Sequence, residues 1–149
     1  LRSIWASDPD HIWVGGAQGR TFYFDGRSWT ESTASESATI RDIWGSDAGN
    51  VWAVTFSGAV MKWDGRSFRT VYSGSIPELN SLWGSDANHI WAVGGNGTLV
   101  QWDGAVWAAE SVGGITARLN DVGGSDASHV LTLSIGTRSP LAAPIVIAG

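Results

Sequence analysis

Aromatic residues in this chain keep one spacing. Trp83 has counterparts at Trp44 and Trp5, and Trp91 at Trp52 and Trp13. Trp102 matches Trp63 and Phe24, and Trp107 matches Phe68 and Trp29. Every step is 39 residues, and no gap is needed across three copies. A period of roughly 20–50 residues marks a repeat architecture, in which a unit too small to bury its own apolar surface must stack on its neighbours.

Within one copy the pattern is that of strands. No window places apolar residues at helical spacing over three turns; short alternating runs are separated by turn residues instead. In the third copy Leu82-Trp83 closes the first run and Ser85-Asp86-Ala87-Asn88 makes a turn. His89 to Val93, Thr98 to Trp102 and Val106 to Ser111 are the next runs, separated by Gly94-Gly95-Asn96-Gly97 and Asp103-Gly104. Asp-Gly between two strands favours a tight hairpin, because glycine accepts a positive φ and Asp tolerates it. The pair recurs at Asp25-Gly26 and Asp64-Gly65, and Ser-Asp recurs at Ser7-Asp8, Ser46-Asp47, Ser85-Asp86 and Ser125-Asp126. Four short strands in an up-and-down sheet of about 40 residues are the size of a propeller blade. The expected fold is therefore all-β, a single β-propeller or propeller fragment over residues 1–149. Its four-stranded antiparallel blades take about 1–39, 40–78 and 79–117, with an incomplete fourth at 118–149. In that last copy Gly123 and Leu131 stand where the two leading tryptophans are expected, and a Pro-containing stretch replaces the glycine turn.

Composition narrows the function. A net charge of −5 with no clustered Lys and Arg argues against a nucleic-acid partner. Zero cysteines remove disulfide and thiolate chemistry. No run approaches the ~18 apolar residues of a membrane helix. Leu1 stands directly before a repeat start, so the chain is expected to be a piece of a longer one.

Catalytic and metal chemistry find little support in the pattern. His11, His89 and His129 share one position, which Asn50 fills in the second copy, and a turn hydrogen bond accounts for both residue types. Asp42 and Asp121 lie on innermost strands, from which a side chain can point into a central channel. No nucleophile–base pair or phosphate loop stands out, so the chain reads as a non-enzyme with no metal and no cofactor. Trp44, Trp83, Trp52 and Trp91 are assigned to packing between sheets, and Trp29, Trp102 and Trp107 to partial exposure on outer strands.

The repeat L-x-x-[IV]-W-G-S-D-x-x-x-[IV]-W-A-V-x-x-x-G-x-[LV]-x-x-W-D-G-x-x-W, carried by residues 1–135, resembles the Trp-rich β-propeller repeats of bacterial secreted proteins. It is similar, more loosely, to tectonin-type lectin repeats and to the sensor propellers of two-component regulators. The resemblance implies an extracellular, cell-surface or periplasmic protein whose full-length gene opens on a signal or lipoprotein segment.

Three expectations about function follow. The first is a binding module for a neutral glycan or a protein partner. The turns that differ from copy to copy share a disc face with the connectors between copies, and variation on a rigid frame is where loops carry binding. Gln18, Ser57 and Asn96 are the candidate ligand-binding residues there, with Trp102 and Trp107 as aromatic surfaces. The second is a ligand-free excised or engineered fragment that closes into a ring by self-association; fewer than four full blades leave apolar faces open, and two chains making eight blades is the simplest homo-oligomer. A compact four-bladed monomer is the alternative assembly, and a glycosidase-like enzyme a distant third function.

Overall fold

A computed structural model describes residues 1–111, 114–134 and 145–148. The first sheet is β1 (Ser3–Asp8), β2 (His11–Gly15), β3 (Arg20–Phe24) and β4 (Trp29–Thr33). The second is β5 (Ile40–Asp47), β6 (Asn50–Thr55), β7 (Ala59–Trp63) and β8 (Phe68–Ser73). The third is β9 (Leu79–Asp86), β10 (His89–Gly94), β11 (Thr98–Trp102) and β12 (Trp107–Ser111). The fourth has three strands, β13 (Leu119–Asp126), β14 (His129–Ser134) and β15 (Ile145–Ala148). Each sheet is antiparallel with its strands in chain order, and no α-helix occurs among the described residues. These are three complete propeller blades and an incomplete fourth.

The innermost strands β1, β5, β9 and β13 lie side by side around the axis. Alternation along each strand then gives every blade two apolar faces. One, the back face, looks toward the next blade in sequence; the other, the front face, looks toward the preceding one. Trp13 on the back of the first blade packs against Ile40, Ile43, Met61 and Trp63 on the front of the second. Trp52 on the back of the second meets Leu82, Val100, Trp102 and Trp107 of the third. Trp91 and Leu99 then meet Leu119, Val122 and Val130 of the fourth. The cores therefore lie between blades, and a blade has no interior of its own. A buried indole removes roughly 150–250 Å² from water, about 4–6 kcal/mol before the entropy of ordering is subtracted.

The first tryptophan of each copy is paired across strands with the second: Trp5 with Trp13, Trp44 with Trp52, Trp83 with Trp91. It does more than fill the face of its own sheet. Trp5 lies edge-on over Gly45, Trp44 over Gly84 and Trp83 over Gly124, each on the next blade. A Cβ at Gly45 would stand 2.7 Å from Trp5, at Gly84 2.6 Å from Trp44, and at Gly124 3.0 Å from Trp83. The glycine before each repeated Ser-Asp is thus the seat of the previous blade's indole.

Blades are also joined at the rim and along the connectors. Ser35 donates its N–H to Phe68 O (2.9 Å) and its hydroxyl oxygen accepts the Thr70 N–H (2.8 Å). Gly97 has φ +67° and donates to Ala117 O at 2.7 Å. A Cβ there would drive into the carbonyl of Ile115, whereas one at Gly65 (φ +95°) meets nothing within 4 Å. Gly65→Ala should therefore cost only the left-handed backbone penalty, ~1–2 kcal/mol. Gly97→Ala adds backbone crowding and should cost ~3 kcal/mol or more, a difference that urea unfolding of the two variants measures directly.

Candidate functional site

The turns at the two ends of the strands differ in kind. Between the first and second strands of every copy, one Asp closes the turn. Asp8 accepts the Asp10 N–H (2.9 Å), the Ser7 hydroxyl (2.8 Å) and the His11 Nδ1–H (2.8 Å). Asp86 does the same with Asn88, Ser85 and His89, and Asp126 with Ser128, Ser125 and His129. In the second copy Asn50 Nδ2–H donates to Asp47 at 3.0 Å, in place of a histidine. The repeated histidines are turn locks, and Asn substitutes because it offers the same donor. On the same side, Asp25, Asp64 and Asp103 each accept two successive backbone N–H groups across the Asp-Gly hairpin. Among the described residues no group of three or more His, Asp or Glu side chains could hold a metal ion.

On the opposite side, Gln18 and Asn96 project from equivalent turns, Ala17–Gly19 and Gly95–Gly97. Both are exposed and both hold a left-handed backbone, at φ 58° and 54°; among the described residues they are the only non-glycines that do. Ser57 is exposed as well, and its hydroxyl exchanges a hydrogen bond with Thr55 (2.8 Å) and donates to Glu36. The three residues share one disc face, as the spacing predicts. That face is more charged than its turn residues imply. Arg118 donates to Asn80 Oδ1 (2.8 Å) and lies 3.6 Å from Glu78, while the Arg41 guanidinium stacks 4.7 Å over Phe56. Burial, with Arg118 and Arg2 nearby, pulls Arg41 below its ordinary range, and Glu78 opposes that. The charges came from connectors and from the innermost strand, which turn residues alone do not reveal.

Trp102 and Trp107 are not part of that face. They end β11 and begin β12, beside the Asp103-Gly104 turn at the far end of the strand from Asn96. Both are half-buried against Trp52, with ring centroids at 5.2 and 5.6 Å. They edge an open groove of about 460 Å³ with Lys62 and Tyr72, between the second and third blades. Trp29, assigned to partial exposure, is exposed.

A feature that sequence reasoning missed runs along the innermost strands. Asp42 Oδ1 accepts the Ser3 hydroxyl (3.0 Å) and the Ile43 N–H (2.9 Å). Asp42 Oδ2 accepts the Leu82 N–H (3.1 Å) and faces the Ser81 hydroxyl (3.1 Å). Ser81 stands equally within reach of Asp121 Oδ1 (2.8 Å), so its single proton is shared between two carboxylates. Ser3, Asp42, Ser81 and Asp121 thus form a ladder that crosses all three blade junctions. Burial raises the Asp42 carboxyl above its ordinary value, and the Leu82, Ser3, Ser81 and Ile43 donors partly offset this. The signal in the sequence was two 39-residue steps and one of 40, hidden because Ser and Asp alternate along them.

No protein-family model and no curated protein sequence matches the chain. Solved structures do. The WD40 β-propeller domain of Doa1 superposes with a TM-score of 0.71 at 13% identity, over 88% of this chain and 46% of that one. YCF48 from Cyanidioschyzon merolae superposes with a TM-score of 0.67 at 17% identity, over 95% of this chain and 48% of its own. The chain therefore spans about half the length of each, and shares their propeller fold. No helix among the described residues is long and apolar enough to cross a membrane.

The turn carboxylates set a pH dependence. Asp64 falls to about 2, chiefly through the backbone N–H groups of Ser67 and Arg66, and Asp25 and Asp103 shift the same way for the same reason. His11 and His129 lead the lowering at Asp8 and Asp126, Asn50 at Asp47, and the Asn88 N–H at Asp86. Folded carboxyls that bind protons more weakly than unfolded ones stabilise the fold above the ordinary Asp value. That contribution is lost as pH falls through the folded values. Asp42 has the opposite sign, since protonation removes the cost of its buried charge. Seven turn carboxylates against one predict melting temperatures that fall between about pH 4 and pH 2. Asp64→Asn should flatten that slope in thermal melts across the range.

Proposed function

We propose that this chain is a binding scaffold without catalytic activity. In this reading it is a propeller arc that self-associates to complete its ring and offers the Gln18–Ser57–Asn96 face to a partner. The single observation that carries the reading is the contrast between the two disc faces. On one, every turn is closed by the same Asp lock, repeated because each blade needs it. On the other, the equivalent turns and the connectors beside them differ in each copy and carry no shared lock, so that face holds positions the fold leaves open.

The chemistry of that face favours a segment of another protein over a neutral glycan. Amides and hydroxyls at Gln18, Ser57 and Asn96 suit either ligand, but Arg41, Arg118, Glu36 and Glu78 beside them suit a loop carrying both signs of charge. A glycan remains the reading that the lectin-like resemblance supports, and the same experiment separates the two. An exported bacterial protein, at the cell surface or in the periplasm, goes with the sequence resemblance.

Binding would be measured on a glycan array and by affinity capture from the source organism's surface proteins, using wild type, Gln18→Ala/Asn96→Ala and Asp86→Ala. The double variant should weaken the best binder by ~1–3 kcal/mol. It should keep the fold, because Gly19 and Gly97 supply the left-handed turn residues that crowd the connectors. Binding lost through Asp86→Ala but unchanged in the double variant would place the site on the other side of the disc.

A further inference from the structure

The two ends of the arc are uncovered copies of surfaces that are covered everywhere else. On the first blade's front face Leu1 is 81% exposed, Ile4 67% and Trp29 52%. Their equivalents one blade on, Ile40, Ile43 and Phe68, are exposed by 0%, 3% and 0%. With Val14 and Phe22, these three side chains line an open groove of about 580 Å³. At the other end the fourth blade's back face, with Asp121, Gly123 and Leu131, lines a hollow of about 420 Å³.

The two ends depart from the repeat in opposite directions. The back face has lost bulk: Gly123 pairs with Leu131 where the other blades pair two tryptophans. The front face has gained it: Val14 stands where the next two blades have Ala53 and Ala92, and Phe22 where they have Met61 and Val100. One substitution is diagnostic. The glycine that seats the preceding blade's indole, Gly45, Gly84 or Gly124, is Ala6 in the first blade, at the same register position opposite Ile12. A tryptophan-bearing blade docked as the others are would bring its indole to about 2.6–3.0 Å from that methyl. A blade with Gly123 brings no indole.

The inner-strand ladder has the matching phase. Asp121 Oδ1 accepts the Ser81 hydroxyl and the Val122 N–H, as Asp42 Oδ1 accepts Ser3 and Ile43. Asp42 Oδ2 then takes Ser81 and Leu82 of the following blade. Among the described residues nothing donates to Asp121 Oδ2. The residues equivalent to Ser81 and Leu82 that lead a blade are Ser3 and Ile4.

The geometry points to a head-to-tail junction in which the front face of one copy's first blade docks on the back face of a second copy's fourth blade. Ala6 lies over Gly123, and Asp121 accepts the Ser3 hydroxyl and Ile4 N–H. This deepens the self-association reading above and rests on it. Serine and aspartate then alternate without a break around the axis. A head-to-tail interface either closes into a ring or runs on as a filament. This arc superposes on about half of each of two propellers, so its curvature closes with two copies.

Light scattering on purified chain should give twice the 15.8 kDa of one copy. Ile4→Lys should give the single-copy mass with an unchanged far-UV spectrum, because Ile4 is exposed within one copy. Gly123→Trp should weaken association at least ~10-fold, and adding Ala6→Gly should restore it to within about threefold of wild type. Wild type at the single-copy mass across the micromolar range would overturn self-association and the junction together. A dimer indifferent to Ile4→Lys and Gly123→Trp keeps self-association and overturns this junction. A ladder of masses above the dimer overturns closure by two copies. If Gly123→Trp fails to fold, Ile4→Lys and Asp121→Asn decide alone, with loss of the dimer expected for the first and weakening of about tenfold for the second.

Discussion

Everything in this arc depends on an indole reaching across to a glycine. A blade is one sheet thick, so its apolar groups have no interior to enter. Trp44 is long enough to leave its own sheet and lie on Gly84, and Gly84 leaves room because it has no Cβ. Once the indole is seated, the paired Trp52 meets Trp102 and Trp107, and the aliphatic residues around them close against water. The contact fixes the spacing of the blades, since each seat lies one blade on from its indole.

The polar groups serve this packing more than they compete with it. Asp8, Asp47, Asp86 and Asp126 hold the first hairpin of each copy shut, which sets the register that pairs the two tryptophans. Asp42 and Asp121 do something different: they bridge blades where the innermost strands are too close for large side chains. A carboxylate there carries a desolvation cost that its four donors offset only in part. Its alternation with serine keeps like charges from meeting at adjacent blades. The ladder acts on the order of blades, not on their number.

Functional surface lies where these constraints relax. Gln18 and Asn96 hold left-handed backbone that glycine would adopt more readily, at a cost of ~1 kcal/mol or more for Gln. Such strain collects where a side chain is wanted for reasons other than folding. Nearby connectors bring Arg118, Glu36 and Glu78 onto the same face from three different gaps between blades.

The 39-residue step, the strand alternation and the Ser-Asp and Asp-Gly turns by themselves determined the blade, its strand order and its count, because each is a local rule written at fixed spacing. They also determined that His11, His89 and His129 are turn donors, since Asn50 does the same work. The burial of Trp102 and Trp107, the charge of the Gln18–Asn96 face and the Ser3–Asp42–Ser81–Asp121 ladder were decided only in the tertiary structure. Each depends on which face of one blade meets which face of the next. The period says that faces must meet, but the hand and rotation between blades choose the partners. For the same reason Ala6 and Gly123, unremarkable as letters, acquire meaning only when the Trp5 indole seated on Gly45 shows what each has given up.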